Sequence, residues 1–212
     1  MEPLSLEVVG LSHRHPGADR DTPGTLSFRL APGEKGLLLG ANGSGKSTLL
    51  ARLVGLVDGP GEVRIGGELL TRGRLRALRR GIGYLWQRPD DGLLLPTVRE
   101  DVALGPANDG QASEAEAIAD RWLDRLGVSH LATRRIRELS LGERQLVALA
   151  GVLAREPGLL LLDEPIAALD SVARSRVLEV LAAHRATMLV ASHEAAFWLE
   201  GPGHWRRQLV LA

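Results

Sequence analysis

The sequence predicts an α/β fold: a mostly parallel sheet flanked by helices, with an N-terminal antiparallel β part and an inserted helical subdomain. Three observations carry this expectation. Short apolar runs end in glycine, acid or histidine at KGLLLG (35–40), GLLLLDEP (158–165) and TMLVASH (187–193), as strands buried on both faces do. Stretches of helical periodicity alternate with them. The region from about 97 to 157 is mostly helical and interrupts that alternation. We therefore expect one domain over 1–212, its core formed by about 1–96 and 158–212, with about 97–157 as the helical subdomain.

Residues 4–12 (LSLEVVGLS) and 25–30 (TLSFRL) alternate as strands do, separated by the turn-rich HRHPGADRDTPG. KGLLLG is a third strand, and STLLARLVGLV (47–57) follows as a helix. EVRIGG (62–67) is a short strand, RLRALRRG a basic helix or turn, and IGYLWQ (82–87) another strand. Helices are expected at 113–126 (SEAEAIADRWLDRL) and 140–155. GLLLLDEP is a buried strand, SVARSRVLEVLAAH a helix, TMLVASH a strand, AAFWLE a short helix and QLVLA a closing strand.

Composition narrows the function. Of 212 residues, 44% are hydrophobic and only 3% aromatic, so the core is aliphatic. Net charge is zero, which gives no footprint for a nucleic-acid partner. Without cysteine there is no disulfide and no thiolate chemistry. Neither a signal peptide nor an apolar run of membrane-spanning length is found, so a soluble cytoplasmic protein is expected, peripheral if it works at a membrane. Lysine occurs only at Lys35 and Lys46 among 26 basic residues. Where arginine is the default, a lysine marks a place suited to a compact ammonium on a flexible stem.

Lys46 stands in GANGSGKST (40–48), which fits G-x-x-x-x-G-K-[ST] after an apolar strand and before a helix. Glycines let the backbone wrap a phosphate, and the helix N-terminus adds a positive dipole. Gly40, Asn42, Gly43, Ser44, Gly45, Lys46, Ser47 and Thr48 are thus the expected nucleotide-binding residues. Lys46 would reach the outer phosphates, and the Ser47 hydroxyl would ligate Mg²⁺. Asp163, at the end of LLLLD, is a second expected Mg²⁺ residue. Glu164 beside it points elsewhere and suits a general base for the attacking water. His193 ends another apolar strand, at the edge where ligands gather in parallel sheets. In RELSLGERQLVALAG (137–151), Ser140-Leu141-Gly142-Glu143 opens an apolar helix. Alone, Ser140 and Glu143 fit a capping box; a helix start can also hold an anion.

Together these residues resemble the ATP-binding-cassette family of ATPases, over nearly the whole chain and in the family's order. GANGSGKST is similar to its phosphate loop, and Gln87 to the glutamine that touches metal and water. LSLGE resembles the family signature, LLLLDEP is similar to the segment with the metal aspartate and catalytic glutamate, Asp170 in AALD resembles the aspartate of the dimer-interface loop, and His193 resembles the switch histidine. The resemblance implies ATP and Mg²⁺, and two cassettes packed head to tail, so that Ser140, Leu141, Gly142 and Glu143 act in trans on ATP bound by the partner. The second cassette is a copy or a paralogue. Leu141 replaces the family's usual glycine, whose positive φ and close approach it opposes. His15, with His13 as second choice, takes the place of the family's adenine-stacking aromatic.

GYLWQRPDDGLLLPTVREDVALGPAN (83–108) is similar to the ATPase subunits of energy-coupling-factor importers, including those for cobalt, nickel and vitamins. This resemblance implies an integral membrane subunit docking around Gln87, at the cytoplasmic face of the cell membrane. It also implies that the longer C-terminal region of many such ATPases is missing. The alternatives are an ATP-gated dimerisation module with negligible turnover, or a cassette ATPase outside transport.

Overall fold

The computed structural model describes residues 1–11, 26–203 and 205–211. His13 and His15 lie outside the described residues. The chain forms two compact units. The first comprises residues 1–84, 157–164 and 185–212; the second comprises 85–156 and 165–184.

The first unit carries the sheets. β1 (Leu6–Leu11) pairs antiparallel with β2 (Leu26–Leu30) and with β4 (Glu62–Ile65). β4 turns back into β5 (Glu68–Leu69) through Gly66 and Gly67, at φ 59° and 83°. The strand expected over 62–67 is thus shorter and ends at Ile65. A two-residue hairpin loop of this kind needs positive φ at both positions, so the pair is a turn and not a strand end. The other sheet has the order β6-β7-β8-β3-β9, built from β3 (Lys35–Gly40), β6 (Ile82–Leu85), β7 (Leu159–Asp163), β8 (Thr187–Ser192) and β9 (Trp205–Leu211). β3 runs parallel to β8 and β9, and β7 parallel to β8. All residues of β7 and β8 are buried, which explains their unbroken apolar sequences. The closing strand is longer than QLVLA and begins at Trp205. α1 (Lys46–Leu53) buries Leu49, Leu50 and Leu53 against Leu38, Leu161 and Leu189 in one aliphatic core. α2 (Leu75–Arg80) and α7 (Ala195–Glu200) complete this unit.

The second unit is helical: α3 (Val98–Pro106), α4 (Ala115–Arg125), α5 (Leu141–Ala154) and α6 (Ser171–Ala183). α3, α4 and α5 pack on one another, and Val98, Val102, Ile118, Trp122, Leu123, Val147 and Leu149 on them are buried. α3 passes into a π-helical turn at 107–111. Pro106 offers no N–H to the carbonyl four residues back, which loosens the ladder where the turn widens.

Candidate nucleotide and catalytic site

Between β3 and α1 the loop alternates in hand, Gly43 at φ 84° and Gly45 at φ 93°. Such alternation turns successive N–H groups toward one side and forms an anion-binding nest. At Gly40 a Cβ would lie 2.4 Å from Ser44 Oγ and 2.9 Å from the Leu211 carbonyl, so only glycine fits. Asn42 and Gly43 are exposed at the loop tip, and Thr48 is half-buried on α1. Ser44 Oγ is buried without a hydrogen-bond partner. Lys46 is 6% exposed and donates to the carbonyls of Gly40 (2.8 Å) and Ala41 (3.1 Å).

Two neighbouring acids at the end of β7 diverge, as strand geometry requires. Asp163 is hydrogen-bonded to the Ser47 side chain, while its Oδ1 is buried without a partner. Burial pushes its carboxyl above the ordinary aspartate value, Ser47 and Lys46 opposing the rise and Glu164 adding to it. A buried carboxylate with an unpaired oxygen beside a hydroxyl is a donor set suited to a hard cation such as Mg²⁺. Tyr84, partly buried near Asp163, has its hydroxyl pKa raised by burial and then by that charge.

Glu164 adopts φ 48°, a left-handed conformation uncommon outside glycine. Its Oε1 lies 2.9 Å from His193 Nδ1 and 3.6 Å from Lys46 Nζ. The carboxylate can only accept, so the short contact is a hydrogen bond with the proton on Nδ1. The histidine is half-exposed, and its Nε2 is left for other partners. Ser192 Oγ stands 3.4 Å from Oε2. Ser192 was not among the expected residues; the signal available was a polar residue closing an apolar strand immediately before His193.

The remaining expected residues lie in the second unit. Ser140 caps α5: its Oγ accepts from Glu143 N at 3.3 Å, and Glu143 Oε2 accepts from Ser140 N at 2.7 Å. The capping box is thus present, and these bonds, Ser140 N–H foremost, hold the Glu143 carboxyl below its ordinary range. At Gly142 a Cβ would come within 2.8 Å of the Ala168 carbonyl, which requires glycine there. Leu141 stands where the resemblance has glycine. It is the first helical residue of α5 with ordinary negative φ, so leucine meets no backbone strain. Its side chain is 52% exposed. Asp170 caps α6, accepting from Ala173 N at 2.8 Å. Gln87 is exposed just beyond β6.

A nest at a strand-to-helix turn, with Ser47 and Asp163 adjacent and Glu164 beside Lys46, defines a P-loop nucleoside-triphosphatase. Residues 24–167 match the family model described as ABC transporter. The chain belongs to the ABC transporter family, and it is the ATP-binding, ATP-hydrolysing component of a transporter. A protein described as an ABC transporter ATP-binding protein in Streptomyces avermitilis is 41% identical over 92% of this chain and 75% of its own length. Another, in Gloeobacter violaceus, is 43% identical over 94% and 82%. Among solved structures, cbiO1 from Clostridium perfringens, part of the ABC transporter complex cbiONQ, has a TM-score of 0.74 and 31% identity, covering 89% of this chain and 78% of that one. The dimeric structure of MJ0796, a bacterial ABC transporter cassette, has a TM-score of 0.84 and 25% identity over 97% and 94%. The expected fold class is borne out by these structures. No helix among the described residues is long and apolar enough to cross a membrane.

Proposed function

We propose that this chain is the ATPase subunit of an energy-coupling-factor type importer for a transition-metal ion such as cobalt or nickel, or for a vitamin. The observation that carries the reading is the 31% identity to cbiO1, a component of cbiONQ, over 89% of this chain. The segment around QRPDDGLLLPTVREDV supports it. The chain pairs with a second cassette, a copy or a paralogue, and an integral membrane subunit docks around Gln87 at the cytoplasmic face.

Chemically the site suits in-line transfer of the γ-phosphoryl group to water. The nest and α1 dipole bind the phosphates of ATP, and Lys46 exchanges the Gly40 and Ala41 carbonyls for phosphate oxygens. Ser47 and Asp163 would hold Mg²⁺, which when bound neutralises phosphate charge. Glu164 takes a proton from water as its oxygen bonds to the γ-phosphorus. The bond to the β-phosphate oxygen breaks, and ADP and phosphate leave. His193 orients Glu164 through Nδ1 and presents Nε2 to the γ-phosphate or the water. Ser140 and the Gly142 N–H complete the partner's site in trans.

The test is a pull-down of tagged chain from detergent-solubilised membranes of its own source, with uptake of labelled Co²⁺ and Ni²⁺ measured after the gene is deleted. Capture of an integral membrane subunit supports the reading. Capture of nucleic acid or ribosomes in its place overturns it.

A further inference from the structure

The end of β8 grips Glu164 at three consecutive residues. Glu164 N donates to the Ala191 carbonyl at 2.9 Å. Ser192 Oγ reaches Oε2, and His193 Nδ1 reaches Oε1. A non-glycine residue at φ 48° persists only where its surroundings over-determine it, and these contacts do so. The hydrogen-bond direction at Ser192 is settled by a further neighbour. Glu194 N donates to Ser192 Oγ at 3.1 Å, which occupies the hydroxyl's acceptor side and leaves its proton for Oε2. Ser192 is fully buried, so water does not compete for that proton.

We propose that Ser192 is a positioning residue for the water-activating carboxylate: its hydroxyl anchors Oε2, so that Oε1 is the oxygen presented to the attacking water. The inference rests on the reading of Glu164 as general base. The last torsion of a glutamate side chain is broad, and a carboxylate held through one oxygen swings about it. Lys46 lies 3.6 Å from Oε1. The Ser192 contact, at 3.4 Å, is longer than the roughly 2.5–3.0 Å of a strong O–H···O bond. Once Lys46 turns to phosphate, Oε1 loses that partner and the Ser192 bond shortens. Ser192 then fixes the plane of the base for the chemical step and contributes nothing to ATP affinity.

The experiment is steady-state hydrolysis of MgATP by wild type, Ser192→Ala, Ser192→Thr, Ser192→Cys and Glu164→Gln, with melting temperatures alongside. Loss of a hydrogen bond to a charged group predicts a fall in kcat of about tenfold for Ser192→Ala. KM and MgATP affinity stay unchanged, and Ser192→Thr recovers kcat. Should Ser192→Ala fold poorly, Ser192→Cys keeps the volume with a weak donor and must show the same fall in kcat alone. Wild-type kcat in Ser192→Ala or in a folded Ser192→Cys overturns the inference, as does a rise in KM matching the fall in kcat. Glu164→Gln separates the two claims: if it hydrolyses like wild type, the general-base reading fails. If it is inactive while Ser192→Ala is not, only the role of Ser192 fails.

Discussion

At the scale of single residues, the proposed function has Lys46 and Asp163 divide the work of holding a triphosphate. Lys46 already spans the loop that would carry the phosphates, satisfied by two carbonyls at 2.8 and 3.1 Å. Replacing it with alanine removes a charge-assisted donor, each such bond being worth about 1.5–3 kcal/mol. Lys46→Ala should weaken ATP binding by a factor on the order of ten or more, measured by calorimetric titration. Asp163 acts differently. Its Oδ1 is buried without a hydrogen-bond partner, a position suited to a cation. Asp163→Asn should leave metal-free ATP binding near wild type and abolish its enhancement by Mg²⁺, read by titrating nucleotide with and without EDTA. Equal Mg²⁺ enhancement in both proteins would remove Asp163 from the metal site.

At the scale of elements, α3 shows a role that its sequence hides. Asp101 is 8% exposed, and one of its oxygens accepts both Leu94 N (2.6 Å) and Leu95 N (2.7 Å). It thereby fixes the turn that displays Leu94, 73% exposed, beside the region proposed to meet the membrane subunit. Burial raises the Asp101 pKa above its ordinary 3.8 despite the two backbone bonds. For an acid with a raised folded pKa, the associated stability is fully present below the unfolded value and is lost as pH rises through the folded one. The ionised form is therefore the costly one at neutral pH. Asp101→Asn keeps an acceptor oxygen and sheds that cost. Its melting temperature should match or exceed wild type at pH 7, and the difference should shrink toward pH 4. Asp101→Ala strands two N–H groups and should lose about 1–3 kcal/mol in a denaturant titration at pH 7. The strands flanking the phosphate loop and the capped helix α5 were legible in the sequence, because apolar runs and the Ser140–Glu143 spacing are local signals. So was GANGSGKST. Asp101 and Ser192 were not. Asp101 looks like one charge in a polar helix start, and Ser192 meets Glu164 only because β7 and β8 lie side by side, 28 residues apart in sequence. That leucine is tolerated by the backbone at 141 was not legible either, because the hand of that residue is set by its place as the first helical residue after the Ser140 cap.

At the scale of the molecule, a single chain carries both GANGSGKST and the capped start of α5, and the proposed head-to-tail pairing of cassettes puts them to use on different nucleotides. Ligand-driven pairing then follows from differential affinity: ATP shifts the equilibrium only if it binds the closed pair more tightly than the lone chain. Hydrolysis dissipates that preference, so the closed pair accumulates when the chemical step is blocked. Glu164→Gln removes the proposed base and the negative charge near Lys46 while keeping the side chain's size. With MgATP it should elute as a dimer in size exclusion and scatter light as one, alone if the pair is homomeric or with its paralogue if not. With ADP, and in the double variant with Lys46→Ala, it should stay a monomer. A Glu164→Gln chain that remains monomeric at saturating MgATP with every candidate cassette partner would show that the signature at Ser140–Glu143 does not serve a second subunit. The capping box would then be the whole of that turn's role.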